Sequence, residues 1–167
     1  DLLLHLKCRT VTGETIEDRV RTAPPFVDRN VIRPIDDPFQ RTGGLRALFG
    51  NLAPNGAILK SAAADERLFE HEGRAIVFTG LDDLAARIDD PALDVTPDDI
   101  LVLQNAGPVG AGMPEAGYLP IPAKLARAGI KDMIRLSDAR MSGTAFGTVV
   151  LHVSPESAIG GPLGLVR

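Results

Sequence analysis

Two short runs carry side chains that could do chemistry. Gly107-Pro-Val-Gly-Ala-Gly-Met-Pro-Glu115 ends on a carboxylate, and Ser137-Asp-Ala-Arg-Met-Ser142-Gly-Thr144 offers a hydroxyl 27 residues beyond it. Each run follows an apolar, strand-like segment. A carboxylate framed by glycine and proline suits a hard divalent cation, which prefers oxygen ligands, and Gly107, Gly110 and Gly112 would let a ligand approach the backbone. The same acid would equally complement the amino end of the helix that follows. Ser142 does not sit in a nucleophile elbow, because Arg140 and Thr144 stand where that turn needs glycine. A Ser–His–acid hydrolase is therefore disfavoured, although His5, His71 and His152 are present. His152 lies on an apolar strand and reads as a core histidine. A serine beside glycine is also an ordinary turn residue. Spacing alone leaves Glu115 and Ser142 open between these readings.

Other candidates are weaker. Gly107-x-x-Gly110-x-Gly112 lacks the third glycine of a dinucleotide fingerprint, and no Gly-Lys-Ser/Thr follows. The Asp-Asp doublets at 36–37, 82–83, 89–90 and 98–99 read as solvated turns, since adjacent side chains point apart. Arg74 and Lys60 could meet an anion, but lone basic residues beside strands are usually just exposed.

The elements that must position these residues are mostly short. Val11–Val20 reads as a helix capped by Thr12 or Thr15, ended by Ala23-Pro24-Pro25. Arg33-Pro-Ile-Asp-Asp-Pro-Phe39 is a second proline-rich connector. Residues 1–40 thus read as a linking arm or as a long surface loop of the domain that follows. Pro54-Asn55-Gly56 is a turn signal. Strands are expected at 57–60, 74–79, 100–103, 132–136, 148–153 and 163–166. Helices are expected over Leu81–Ile88 and Leu119–Gly129, the second stopped by Gly129. Several strands lack an intervening helix, so the expected class is mixed α and β, a β-barrel-like sheet with flanking helices. The last strand runs straight to Arg167, which implies a domain over 41–167 truncated at its end.

Composition narrows the classes. With 44% apolar residues the chain can bury a core, and with only 4% aromatics that core must be aliphatic. Net charge is −4 with no basic stripe, which argues against nucleic acid. No apolar run approaches the ~20 residues of a membrane span, and the amino end lacks the features of a signal peptide. One cysteine, Cys8, excludes an internal disulfide and fits a reducing, cytoplasmic setting.

Longer stretches resemble a known family. Gly43-Gly-Leu, Gly50-Asn-Leu-Ala-Pro-Asn-Gly-Ala, Gly107–Glu115, Ser137–Thr144, and His152-Val-Ser-Pro-Glu-Ser with Gly160-Gly-Pro are together similar to the dihydroxyacid dehydratase/phosphogluconate dehydratase family. Pro114–Leu125 and Asp132–Thr144 resemble its sugar-acid branch, which includes arabinonate and xylonate dehydratases. The resemblance implies a swivelling β-barrel-like C-terminal domain, an arm (1–40) from an upstream catalytic domain, and a homo-oligomer. It implies dehydration of a 2,3-dihydroxy acid, such as an aldonate, to a 2-keto-3-deoxy acid. Glu115 would be a Mg²⁺ ligand, Ser142 the base that removes the C2 proton, and Gly143 and Thr144 substrate-binding residues. An iron–sulfur cluster would assist departure of the 3-hydroxyl, with cysteine ligands from the upstream domain, so the 167 residues alone are expected to be inactive. The alternatives are a dihydroxyacid dehydratase of branched-chain amino-acid biosynthesis, or a non-catalytic binding domain.

Overall fold

The computed structural model describes residues 4–24, 28–112, 119–140, 142 and 146–167. Glu115, Gly143 and Thr144 lie outside them. Contacts divide the chain into two compact units, Asp1–Arg41 and Thr42–Arg167.

Among the described residues of the first unit the helix is α1 (Ile16–Thr22). Of the two candidate caps, Thr15 is the one used. Its hydroxyl accepts from Asp18 N at 3.1 Å while the Asp18 carboxylate accepts from Thr15 N at 3.1 Å, a reciprocal box that satisfies two end donors. The helix therefore starts later than Val11. An isolated bridge, Arg9 to Thr15, closes the turn before it.

The second unit is built on one six-stranded sheet. Its elements in chain order are β1 (Arg46–Gly50), β2 (Ala53–Leu59), β3 (Ala75–Phe78), α2 (Leu81–Arg87), β4 (Ile100–Leu103), α3 (Pro108–Ala111), α4 (Ala123–Arg127), β5 (Arg135–Ser137) and β6 (Val149–Ser154). The spatial order is β1-β2-β6-β5-β4-β3. The β3–β4, β4–β5 and β5–β6 pairs are parallel, while β1–β2 and β2–β6 are antiparallel. The mixed α and β class holds, and the sheet is mostly parallel. No pair among the described strands joins β1 to β3, the step that would close a barrel.

Alternation along the strands explains the two cores. Leu101 and Leu103 of β4 pack with Phe78, Leu151 and the α2 residues Leu84 and Leu81, and Leu125 of α4 joins the same cluster. Val102 points the other way, toward Ala57, Val153 and Leu163. A strand covered on both faces reads as an unbroken apolar run, which is how Ile100-Leu-Val-Leu103 reads.

Several expected boundaries shift. Pro54-Asn55-Gly56 is not a turn; it lies within β2, and the hairpin turns at Asn51-Leu52, between the paired Gly50 and Ala53. The positive φ of Gly56 (107°) serves an irregularity in the β2–β6 ladder instead. The expected strand at 163–166 is a 3₁₀ turn, Pro162–Leu165. Proline opens it, and the Leu163 and Val166 carbonyls accept from buried Gln104 Nε2 (2.8 and 3.0 Å) rather than from a neighbouring strand. The expected helix over 119–129 shrinks to α4, because the chain stays extended through Pro122. Gly129, at φ 91°, stops it as anticipated. The expected 132–136 strand begins only at Arg135.

The 98–99 doublet does sit in a turn, with Asp98 exposed, but its second carboxylate is not solvated. Asp99 is buried and accepts from Arg74 Nη2 (3.0 Å), Arg74 Nε (3.1 Å) and Thr96 N (2.7 Å). Arg74, flanked also by Asp94, is thus committed to the fold. Hydrogen bonding from Arg74 holds the Asp99 carboxyl below its ordinary value, against an opposing desolvation effect. A depressed carboxyl contributes stability above its unfolded value of about 3.9, and that contribution is lost as pH falls through the lower folded value. Asp99→Asn is therefore expected to lower the melting temperature at pH 7 and to shrink the loss between pH 5 and pH 2.5. Thermal melts across that range check this.

Among the described residues, no helix is long and apolar enough to cross a membrane.

Candidate active site

The parallel strands β4, β5 and β6 all end at the same edge of the sheet. Leu103 at the end of β4 lies opposite Ser137 at the end of β5. The run that leads to Glu115 leaves β4 there, and the run that carries Ser142 leaves β5 there. In open α/β sheets, ligands bind in the crevice beyond the carboxyl ends of the strands. Topology therefore sends both runs out from one edge, although they are 27 residues apart in sequence.

Two buried groups anchor these runs. Asp138, 1% exposed, follows β5 directly. Its Oδ1 accepts from Ala106 N and its Oδ2 from Ser157 N, both at 2.8 Å. One carboxylate thus ties together the exits of β4, β5 and β6. Arg135, at the start of β5, holds the far shoulders. Its Nη1 donates to Leu119 O (3.2 Å) and its Nη2 to Phe146 O (2.7 Å). Those carbonyls belong to the first described residues after 113–118 and 143–145. Burial pulls the Arg135 pKa down, and Asp132 at 3.4 Å opposes that shift. Asp132 in turn accepts from Thr148 N, Thr148 Oγ1 and Asp65 N.

The glycines in the first run serve the protein's own atoms. Glu156 Oε1 and Oε2 accept from Val109 N (2.9 and 3.1 Å), and Oε2 also from Gly110 N (3.3 Å). This carboxylate occupies the amino end of α3. A Cβ on Gly107 would come within 2.1 Å of Glu156 Oε2, and one on Gly110 within 2.6 Å of Asn105 O. The expectation that these glycines open the backbone to a ligand is thus corrected: at 107 and 110 they admit Glu156 and Asn105.

Ser142 is buried, so it is not an exposed turn serine. His152 also departs from expectation. It is only half-buried, it has a φ of 55°, and it marks a bulge. Gly56 pairs with Ser154 but Ile58 with Leu151, so β6 carries one extra residue there. The bulge reverses the alternation: Leu151 packs on one face of the sheet and Val153 on the other. Bulges re-aim side chains and are common beside active sites. His152 N donates to Ala139 O (2.9 Å), which joins the bulge to the Ser142 run. Burial first, and then the Arg140 charge, hold the imidazole below its ordinary pKa, so it is neutral at pH 7.

These features frame a cleft of about 470 Å³ lined by Asn55, Asp138, His152, Ser154 and Glu156, with Pro108 and Ile159 among its apolar walls. Sequence reasoning missed Asp138 and Glu156 as structural acids and His152 as a cleft residue. Their signal was present in the Ser137-Asp-Ala-Arg and His152-Val-Ser-Pro-Glu runs, but their partners lie 19 to 47 residues away.

The described residues do not build a metal centre by themselves. No three of His, Cys, Asp and Glu among them are placed to hold a metal ion together. Asp138 and Glu156 each accept from backbone N–H groups, and the lone cysteine, Cys8, cannot hold an iron–sulfur cluster.

Comparison with known proteins agrees with the motifs. Residues 30–167 match the family described as dihydroxy-acid/6-phosphogluconate dehydratase C-terminal. The chain is 56% identical to an L-arabonate dehydratase of Azospirillum brasilense, over 99% of this chain and 28% of that protein. It is 52% identical to a 6-deoxy-6-sulfo-D-gluconate dehydratase of Pseudomonas putida, over 98% of this chain and 29% of that protein. A dihydroxy-acid dehydratase of Clostridium botulinum is 40% identical, over 99% of this chain and 29% of that protein. The chain thus spans under a third of the length of these relatives. With its motifs in order and its strand exits joined as described, this chain belongs to the dihydroxy-acid/6-phosphogluconate dehydratase family, in the region of that family's C-terminal domain.

Proposed function

We propose that this chain is the site-completing C-terminal domain of a sugar-acid dehydratase. In this reading it acts on a 2,3-dihydroxy acid such as arabinonate or xylonate and yields the 2-keto-3-deoxy acid. The observation that carries the reading is the shared exit edge of β4 and β5, fixed by Asp138, in a chain 56% identical to an L-arabonate dehydratase. The lower identity to a dihydroxy-acid dehydratase, 40%, favours a sugar acid over a branched-chain precursor. No observation favours a non-catalytic binding domain.

The chemistry asked of this chain is proton removal at C2. Ser142 Oγ takes the C2 proton, the C–H electron pair becomes the C2=C3 bond, and the C3–O bond breaks. The departing hydroxide takes up the proton that Ser142 Oγ received from C2 and leaves as water, which regenerates the base, and the resulting enol tautomerises to the 2-keto acid. A buried serine is a poor base at its ordinary pKa, so a cationic neighbourhood must stabilise its alkoxide. Mg²⁺ and an iron–sulfur cluster belong to this proposal as cofactors that supply electrophilic assistance. Glu115 is the Mg²⁺ ligand assigned to this chain, and Gly143 and Thr144 are assigned to substrate binding. The remaining ligands are assigned to an upstream catalytic domain, over which this domain swivels shut.

The test is a substrate panel. The full-length protein that carries this chain is expected to turn over L-arabinonate or D-xylonate at least ~10-fold better in kcat/KM than 2,3-dihydroxyisovalerate. The isolated 167 residues are expected to show no turnover. The reverse preference, or turnover by the 167 residues alone, would overturn the assignment.

A further inference from the structure

One buried charge in this domain is poorly provided for. Arg135 is buried, and its desolvation outweighs the pull of Asp132 at 3.4 Å. Asp132 is itself engaged elsewhere. Its Oδ1 accepts from Met133 N and Thr148 N, both at 2.8 Å, and its Oδ2 from Thr148 Oγ1 (2.7 Å) and Asp65 N (3.2 Å). The Arg135 Nε is buried with no partner among the described residues. Room for the guanidinium depends on Gly147, at φ 90°, where a Cβ would collide with Nη2. Apolar replacement of a buried ion pair is often neutral or stabilising, so stability alone does not account for an arginine here.

What this side chain does well is bridge. Nη1 donates to Leu119 O and Nη2 to Phe146 O. Leu119 stands four residues after Glu115, and Phe146 four after Ser142. Arg135 also pairs with Val149 at the start of β6, so its guanidinium meets the Ser142 run where that run returns to the sheet. Asp138 holds the same run where it leaves. Ser142 therefore lies in a span fixed at both ends, and through Leu119 O the second fixed point is shared with the run that carries Glu115. A planar guanidinium fork holds two acceptors in one fixed relation, which a lysine ammonium does not reproduce.

We infer that Arg135 is a positioning residue for the dehydration: it registers the run that carries Ser142 against the run that carries Glu115. The inference rests on the dehydratase reading for the reaction. The role is exerted through backbone carbonyls rather than on the substrate.

Arg135→Met fills much of the same space without the fork or the charge. In the full-length protein its melting temperature is expected to stay within about 3 °C of the parent. Its kcat should fall about 10-fold with KM for L-arabinonate changed less than ~3-fold, because slight misplacement of reacting groups acts on the transition state. Arg135→Lys keeps the charge and should recover little of that loss. In Arg135→Ala, added guanidinium, far below denaturing concentrations, should restore part of kcat. A purely structural role predicts the opposite, since guanidinium weakens folded proteins. Unchanged kcat in Arg135→Met, full recovery in Arg135→Lys, or a kcat that follows only the fraction folded across the three variants would each overturn the inference. Loss of the folded state in Arg135→Met would overturn it too, since the arginine would then serve the fold. Amide hydrogen exchange separates this from failure of the dehydratase reading. If the parent turns over no aldonate, that reading fails, and the bridge still predicts faster exchange in Arg135→Met for peptides containing Leu119 and for those containing Phe146, with β4 unchanged. Unaltered exchange in both would overturn the bridge as well.

Discussion

Ser142→Ala in the full-length protein is expected to lower kcat by ~10³-fold or more, with KM for the sugar acid changed less than ~3-fold. General bases contribute roughly 10²- to 10⁴-fold, and here no second described side chain is assigned to the C2 proton. The asymmetry between kcat and KM follows from the role. A group that acts in the transition state affects kcat, whereas a group that merely binds affects KM. The substitution is also small. Serine to alanine removes one hydroxyl from a buried position and adds no bulk, so the fold should survive, and circular dichroism and a thermal melt check that it does. Exchange of the C2 proton of L-arabinonate with deuterium from solvent gives an independent readout. If Ser142 is the base, exchange is lost with turnover. Exchange that persists in Ser142→Ala would assign the base elsewhere, and His152 would become the first residue to examine.

Local pattern made much of this architecture legible, and long-range pairing hid the rest. Ile100-Leu-Val-Leu103 announced a strand buried on both faces, Gly129 announced a helix stop, and Leu81, Leu84 and Ile88 announced the face of α2; all three stand in the structure. What failed depended on partners distant in sequence. Gly56 signals positive φ from residue type alone, but turn and ladder irregularity demand the same φ, and only pairing with β6 decides between them. Histidine type favours positive φ only weakly, and nothing local marks the extra residue in β6, so the bulge at His152 was invisible. Asp138 and Glu156 are acids inside motif runs, and nothing local to those runs marks them as structural. The backbone N–H groups that engage them belong to Ala106, Ser157, Val109 and Gly110. Burying a carboxylate among oriented N–H donors is stable without a cation, and sequence gives no sign of which donors converge.

The same convergence makes Asp138→Ala the other substitution of large expected effect. It removes both acceptors at once and leaves Ala106 N–H and Ser157 N–H without their partner. Ala106 is fully buried, so water cannot readily replace the lost bond. At about 1–3 kcal/mol for each unsatisfied buried group, the loss should be roughly 2–6 kcal/mol, read as a lower denaturant midpoint in the protein that carries this chain. Function should suffer beyond stability. Asp138 secures the near shoulder of the run leading to Glu115 and itself begins the run that carries Ser142, while Arg135 holds both far shoulders through Leu119 O and Phe146 O. Without Asp138 the two runs lose the carboxylate that ties their near ends together and depend more heavily on Arg135. Residual turnover, measured well below the melting temperature of the variant, should therefore fall by ~10-fold or more, because a misplacement near 1 Å costs about 10²-fold. Asp138→Asn keeps one acceptor and should recover part of both losses. Turnover that scales only with the fraction folded would show that Asp138 stabilises the domain without positioning its site.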